Sequence, residues 1–462
     1  MHRKSPSAQG VDADGIAAFL DAIECDPRIE PHGLIIQRHG RRIAEGYWAP
    51  HTAECSRLVY SLSKSFTGTA LGLQLGEGRL TLDDLVSDHL PELFDDATAD
   101  SARTLRIRHI ASMATGHDRE TLLEAAMADP SDPVRGFLTI PSDAEPGTLF
   151  AYNQPPVLAL ARILQRLAGE SLADYLRPRL LDPLGIGDFR WRHTNDGFDL
   201  GFSGVFTNLD AIARLGQLYL DDGLWNGARV LPVGWAADAS SEQVANPERD
   251  EPDWSQGYGF QFWMSRHGYR GDGAFGQYMV VLPEHDVVIA MFSCVENMQT
   301  VLDAMWEHLL PAIDRAATPA ADKTLAARMA GLALPTVTAR LGGVAPTDVP
   351  AMACTRSASG ASHTTITGID VDGVRMTVRE GDQSFDVPLT PGWSAAGDSI
   401  SASASRLDDG TIAVDVVLLA TPHRLEIELD PTSATFNARW PLMPLFGAGL
   451  DPQLSRMCPP TD

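Results

Sequence analysis

Between Leu58 and Gly76 the chain reads Leu-Val-Tyr-Ser-Leu-Ser-Lys-Ser-Phe-Thr-Gly-Thr-Ala-Leu-Gly-Leu-Gln-Leu-Gly. Gly68, Gly72 and Gly76 recur at four-residue steps, so one side of a helix here admits very close neighbours despite the cost of glycine in a helix. Leu62, Phe66, Leu73 and Leu75 cover its other sides, and a helix that is small or apolar nearly all round is a buried one. Ser61 and Lys64 stand at its start, three residues apart and so on one face. Burial lowers the pKa of an ammonium, and a neutral lysine can take the proton of a serine nucleophile. A helix start also offers a backbone N–H and the positive end of the dipole to an oxyanion. The competing reading, a Ser61 cap with a solvated Lys64, is the better account of a lone S-x-x-K. The rest of the chain therefore has to supply partners for the pair.

At 462 residues the chain exceeds what one hydrophobic core organises, and two domains are expected. A hydrophobic content of 44% fits a soluble globular protein, and no apolar run reaches the ~18 residues of a membrane span. The formal charge of -25 disfavours nucleic acid and anionic membranes as partners. The basic start is followed by Val11-Asp12-Ala13-Asp14 instead of an apolar export segment. The five cysteines (Cys25, Cys55, Cys294, Cys354, Cys458) are scattered, without a C-x-x-C. Reduced thiols in a cytoplasmic protein are the expectation.

Hydrophobic spacing divides the chain. Asp14 to Cys25 has helical periodicity, and 33–38 and 42–48 flank His39-Gly40-Arg41 as a hairpin. Helical patterns occupy most of 61–220, including a long amphipathic stretch over 155–182. The period becomes two from Gly257, with strands expected at 258–263, 276–282 and 287–292, and a helix at 302–313 closes this part. Strands at both ends with helices between them predict an α+β fold, an antiparallel sheet flanked by helices, over 10–315. Residues 316–324, alanine- and proline-containing, read as a linker. From 325 to 455, short β-type runs with turns at Asp372-Gly373, Glu380-Gly381-Asp382 and Asp409-Gly410 predict a C-terminal antiparallel β sandwich or barrel.

Two further stretches carry candidate chemistry. Phe150-Ala151-Tyr152-Asn153-Gln154 is a turn leading into a helix. A phenol near Ser61 can relay a proton to a leaving group, the more so if a neighbouring ammonium lowers its pKa. The Gln154 amide can hold the lysine or a substrate carbonyl. Gly271-Asp272-Gly273-Ala274-Phe275-Gly276 satisfies G-x-G-x-x-G, but a strand follows it, which is the wrong context for a dinucleotide. Glycines entering a strand let backbone approach a ligand, and the Ala274 N–H is then a second oxyanion donor beside that of Ser61. Asp272 and Gly273 are candidate substrate contacts. No metal or cofactor pattern is present, and no G-x-S-x-G elbow competes.

These motifs resemble the serine beta-lactamase-like hydrolases, specifically the branch of class C beta-lactamases, DD-peptidases and family VIII esterases. Ser61-Leu62-Ser63-Lys64 resembles its first motif and Tyr152-Asn153-Gln154 its tyrosine motif. Gly201-Phe202-Ser203-Gly204, Gly257-Tyr258-Gly259-Phe260 and Gly273-Ala274-Phe275-Gly276-Gln277 resemble segments around its active site. The tail is similar, more weakly, to accessory β domains of D-aminopeptidase-like members. The resemblance implies an acyl-enzyme mechanism without a cofactor. Ser61 is the nucleophile, Lys64 and Tyr152 move protons, and the N–H groups of Ser61 and Ala274 hold the oxyanion.

Two departures bear on substrate. The family's Tyr-x-Asn ends here in Gln154, one methylene longer. Its third motif often carries a lysine or histidine where this chain has Gly271-Asp272-Gly273. Arg270 is adjacent, but one residue along a strand reverses the face. A small-molecule ester or amide lacking a carboxylate is the expected substrate. A D-amino-acid-specific peptidase or beta-lactamase is the second enzyme reading, and a non-catalytic ligand-binding relative the third.

Overall fold

The computed structural model describes residues 2–447 apart from 316, 359–363, 398 and 446. Its central sheet has six antiparallel strands in the order β2-β1-β11-β10-β9-β8. These are β1 (Ile29–Arg38), β2 (Arg41–Tyr47), β8 (Trp263–Met264), β9 (Tyr269–Gly273), β10 (Gln277–Leu282) and β11 (Val287–Val295). The first and last strand runs of this region meet at the sheet centre, with Ile36 opposite Ile289.

Alternation along β1 sends Ile35 to one core and Leu34 and Ile36 to the other. Helix α1 (Ala13–Cys25) covers the second face with the helical segment 299–312. On the first face lie α2 (Ser63–Gly76), α3 (Gln154–Ala168) and α4 (Leu209–Leu220). Asn208 caps α4, its side-chain oxygen accepting from the Ala211 N–H at 2.9 Å. Small strands β3 (Arg57–Leu58), β4 (Phe189–Trp191) and β5 (Val205–Thr207) form a separate sheet in the order β3-β5-β4. A ribbon of β6 (Leu224–Trp225) and β7 (Ala228–Arg229) stands apart.

The glycine stripe of α2 does what its spacing requires. A Cβ at Gly68 would lie 2.9 Å from the Phe260 carbonyl, one at Gly72 would overlap the Trp235 indole, and one at Gly76 would overlap Pro232. Two segments distant in sequence, one holding Pro232 and Trp235 and the other Phe260, thus rest against one helix face.

The nine-stranded C-terminal sheet is barrel-like, in the order β15-β14-β13-β12-β20-β19-β18-β17-β16. Its strands are β12 (Met352–Arg356), β13 (Gly368–Asp372), β14 (Arg375–Glu380), β15 (Gln383–Pro388), β16 (Ser394–Ala395), β17 (Ile400–Arg406), β18 (Ile412–Leu418), β19 (Arg424–Asp430) and β20 (Thr435–Arg439). All pair antiparallel except β12 with β20. The β13–β14, β14–β15 and β17–β18 hairpins turn at the three expected acidic-glycine sites.

Three local expectations are corrected. Much of the segment read as a linker is helix α5 (Pro319–Ala330), whose Leu325 and Met329 join the core beside α1 and β2. Thr318 caps it and Pro319 occupies its first turn, where proline starts a helix instead of breaking one. The strand expected at 258–263 shrinks to Trp263–Met264, because Gln261 adopts a φ of 69° to lay this segment on α2. The long helical stretch 155–182 breaks at Gly169, in the left-handed region at φ 75°.

Among the described residues, Cys25, Cys55, Cys294 and Cys354 are free thiols, and Cys458 lies outside them. No described helix is long and apolar enough to cross a membrane.

Candidate active site

Ser61 sits in a single 3-10 turn (Tyr60–Leu62) that feeds directly into α2. The preceding residue, Tyr60, has a φ of 48°, left-handed backbone that an aromatic side chain rarely adopts. The turn is pinned by Ser63, whose hydroxyl donates to the Tyr60 carbonyl at 2.6 Å and accepts from the Val205 N–H at 2.9 Å. The second serine of the motif is thus a structural tie to β5.

Lys64 is only 2% exposed. Its ammonium has three partners: Ser61 Oγ at 3.1 Å, Gln154 Oε1 at 2.7 Å and the Phe202 carbonyl at 2.8 Å. These use all three of its donors. Burial lowers its pKa to about 7, against the opposing attraction of the Asp272 and Glu120 carboxylates.

Tyr152 lies beside Ser61, and Lys64 Nζ is over the face of its ring, 4.7 Å from the centroid. Burial, with the nearby Asp272 carboxylate, pushes the Tyr152 phenol far above its ordinary value. That is the reverse of the expected lowering by an adjacent ammonium. The ring stacks on Trp263 at 5.0 Å and meets Tyr258 edge-on at 6.2 Å, forming one wall of the site.

Gln154 is the first residue of α3. Its neighbour Asn153 is fully buried and points elsewhere, accepting from the Thr121 N–H and hydroxyl at 3.0 Å each. Of the two amides in the motif, the one at 154 therefore faces the lysine.

Strand β9 passes against the Ser61 turn. A Cβ at Gly273 would overlap the Val59 carbonyl, and one at Gly271 would overlap the Ser65 hydroxyl. Only glycine permits this approach. Ala274 follows at the strand end, and its N–H donates to no backbone carbonyl among the described residues.

Arg270 and Asp272 face away from α2. Arg270 Nε donates to Asp272 Oδ2 at 2.8 Å, and its Nη1 donates to the Asp253 and Met264 carbonyls and the Ser265 hydroxyl. Its guanidinium lies over the Trp254 ring at 4.2 Å. Neither charge reaches the nucleophile directly: Arg270 is fully buried and Asp272 is 7% exposed. Asp272 instead attracts the Lys64 charge. Burial raises its pKa despite Arg270.

Ser61, Lys64, Tyr152 and Gln154 therefore converge, with Gly273 against the Ser61 turn and Ala274 packed beside Tyr60, while the Asp272 carboxylate is committed to Arg270. Two contributors escape a reading of side-chain types. The Phe202 carbonyl is one, since any residue could supply it. The aromatic wall of Tyr258 and Trp263 is the other, because its period-two pattern reads as strand packing.

The sequence profile described as Beta-lactamase matches residues 30–310. The 6-aminohexanoate-dimer hydrolase of Paenarthrobacter ureafaciens is 27% identical over 63% of this chain and 79% of its own length. Penicillin-binding protein 4 of Amycolatopsis lactamdurans is 29% identical over 50% of this chain and 70% of its own. The solved octameric penicillin-binding protein homologue of Pyrococcus abyssi superposes with a TM-score of 0.52 at 15% identity, covering 90% of this chain and 98% of that one. With a profile spanning more than half its length, the chain belongs to the beta-lactamase family of serine hydrolases.

Proposed function

We propose that this protein hydrolyses small esters or amides through an acyl-enzyme on Ser61. The observation that carries the reading is the set of partners around Lys64. Two of the three, Gln154 Oε1 and the Phe202 carbonyl, can only accept. When the amine is neutral its two remaining N–H bonds stay on those carbonyls, and its lone pair is left for the Ser61 hydroxyl. With a pKa of about 7, that neutral form is well populated under ordinary conditions.

Ser61 Oγ then attacks the carbonyl carbon while its proton passes to Lys64. The N–H groups of Ser61 and Ala274 receive the oxyanion. Tyr152, kept protonated by its raised pKa, hands its proton to the departing alcohol or amine and is reprotonated from Lys64. Water, deprotonated by the same base, releases the acyl group and restores the Ser61 hydroxyl.

The substrate side follows from β9. Position 271 offers no side chain and Arg270 is buried facing away, so no cation of this strand meets a substrate carboxylate. Neutral or cationic esters and amides fit such a site. The free thiols among the described cysteines suit a reducing compartment, in keeping with a cytoplasmic setting.

The test is covalent labelling of the purified protein with an active-site-directed fluorophosphonate, followed by peptide mapping. A single adduct on Ser61, lost in Ser61→Ala, is expected. Folded protein that takes up no label would instead favour a non-catalytic ligand-binding relative.

A further inference from the structure

The two N–H groups assigned above to the oxyanion are each next to a residue in left-handed backbone. Tyr60, with φ 48°, precedes Ser61, and Phe275, with φ 65°, follows Ala274. Neither is glycine, so each turn needs neighbours that hold it. The two rings meet edge-to-face at 5.4 Å. Both also meet a third ring from the C-terminal sheet. His423 Nε2 is 2.7 Å from the Tyr60 hydroxyl, and the His423 ring packs edge-on against Phe275 at 4.6 Å.

His423 stands at the tip of the β18–β19 hairpin, which grips the nucleophile segment at two more points. The Leu58 N–H donates to the Ala420 carbonyl at 2.9 Å, and Arg57 Nη2 donates to the Thr421 carbonyl at 3.2 Å. His423 itself is fully buried, with its other face on Trp440. Burial lowers its pKa to about 3, so the ring is neutral at neutral pH. The Tyr60 hydroxyl and Nε2 can bond in either tautomer, the hydroxyl donating to a bare Nε2 or accepting from a protonated one.

Resting on the Ser61 reading above, we propose that His423 is a positioning residue for catalysis. Through Tyr60 it fixes the Ser61 turn, and through Phe275 it fixes the Ala274 turn, so that both oxyanion N–H groups are held in register by the C-terminal domain. The hairpin tip is thereby part of the catalytic framework while touching neither substrate nor reacting atoms. A shift of either turn misaligns one donor relative to the other, and misplacement of this kind costs rate more than binding.

The experiment uses the full-length chain and three variants: Tyr60→Phe, which removes only a hydroxyl, His423→Phe, which keeps a ring but no hydrogen-bonding atom, and His423→Gln, which restores one. Each is assayed for the rate of Ser61 labelling by a fluorophosphonate and for kcat and KM on p-nitrophenyl butyrate, with thermal melting alongside. Tyr60→Phe and His423→Phe are expected to lower labelling rate and kcat about tenfold with KM nearly unchanged, and the double variant to be no slower than either single one. His423→Gln is expected to recover most of the loss. Labelling and kcat at the wild-type level in folded Tyr60→Phe overturn the proposal while leaving Ser61 as nucleophile. Absence of label on Ser61 in wild type and variants alike overturns the Ser61 reading, and this proposal with it.

Discussion

Lys64 Nζ and Gln154 Oε1 are 2.7 Å apart, so the longer amide at this position reaches the lysine. Residue 154 opens α3, and an asparagine there would end one methylene short of the present contact. Gln154→Asn is therefore expected to behave like Gln154→Ala, each lowering the acylation rate about tenfold through loss of a charge-assisted hydrogen bond. Stopped-flow turnover of a chromogenic ester checks this, and an asparagine variant as fast as wild type would contradict it.

A lysine lowered to about 7 predicts the pH profile. Below that value Lys64 is an ammonium without a lone pair, so acylation rises with pH through about 7 and levels off above it. Lys64→Arg retains the charge but cannot lose its proton, and the rate should fall by roughly 10²–10⁴. The check is the rate of ester acylation from pH 5 to 9, with thermal melting to confirm folding.

Arg270 and Asp272 form a buried pair, and breaking it from either side strands a charge. Arg270→Met or Asp272→Asn alone should destabilise by about 3–5 kcal/mol, and the double variant should recover much of that loss. In the Asp272→Asn background Lys64 also loses an attractive carboxylate. The acid limb of the rate profile should then move to lower pH. Urea unfolding and the same pH series read the two effects separately.

At Gly72 two effects of alanine oppose one another. Helix propensity favours alanine by about 1 kcal/mol, but its Cβ would overlap Trp235, which is buried and stacked on Phe260 at 5.7 Å. Overpacking against a fixed indole costs about 1–3 kcal/mol. Gly72→Ala should thus be net destabilising by chemical denaturation, and an increase in stability would show that Trp235 can move.

With no cation on the substrate side of β9, benzylpenicillin should be turned over far more slowly than uncharged p-nitrophenyl esters. Efficient hydrolysis of the penicillin by purified protein would show that another group binds its carboxylate.

Much of this architecture was legible because it rests on side-chain periodicity and on glycine. The spacing of Gly68, Gly72 and Gly76 announced a crowded helix, and the S-x-x-K spacing placed Lys64 beside Ser61. What escaped was set by backbone or by context. Pro319 reads as a linker residue or a helix start depending on whether Leu325 and Met329 find a core. The Phe202 carbonyl carries no sequence signature at all. Tyr60 and His423 are 363 residues apart, and no local pattern links a hairpin tip to a nucleophile turn.

The bare backbone at Gly271 also restricts how this sequence can change. Any side chain placed there meets the buried Ser65 hydroxyl, on the helix that carries Lys64. A single substitution to lysine would therefore disturb the base before it supplied a carboxylate ligand. A cation introduced at this position would require Ser65 to give way, by rotation or by substitution. Any charge gained on the strand is thereby tied to the packing of the helix that carries the base.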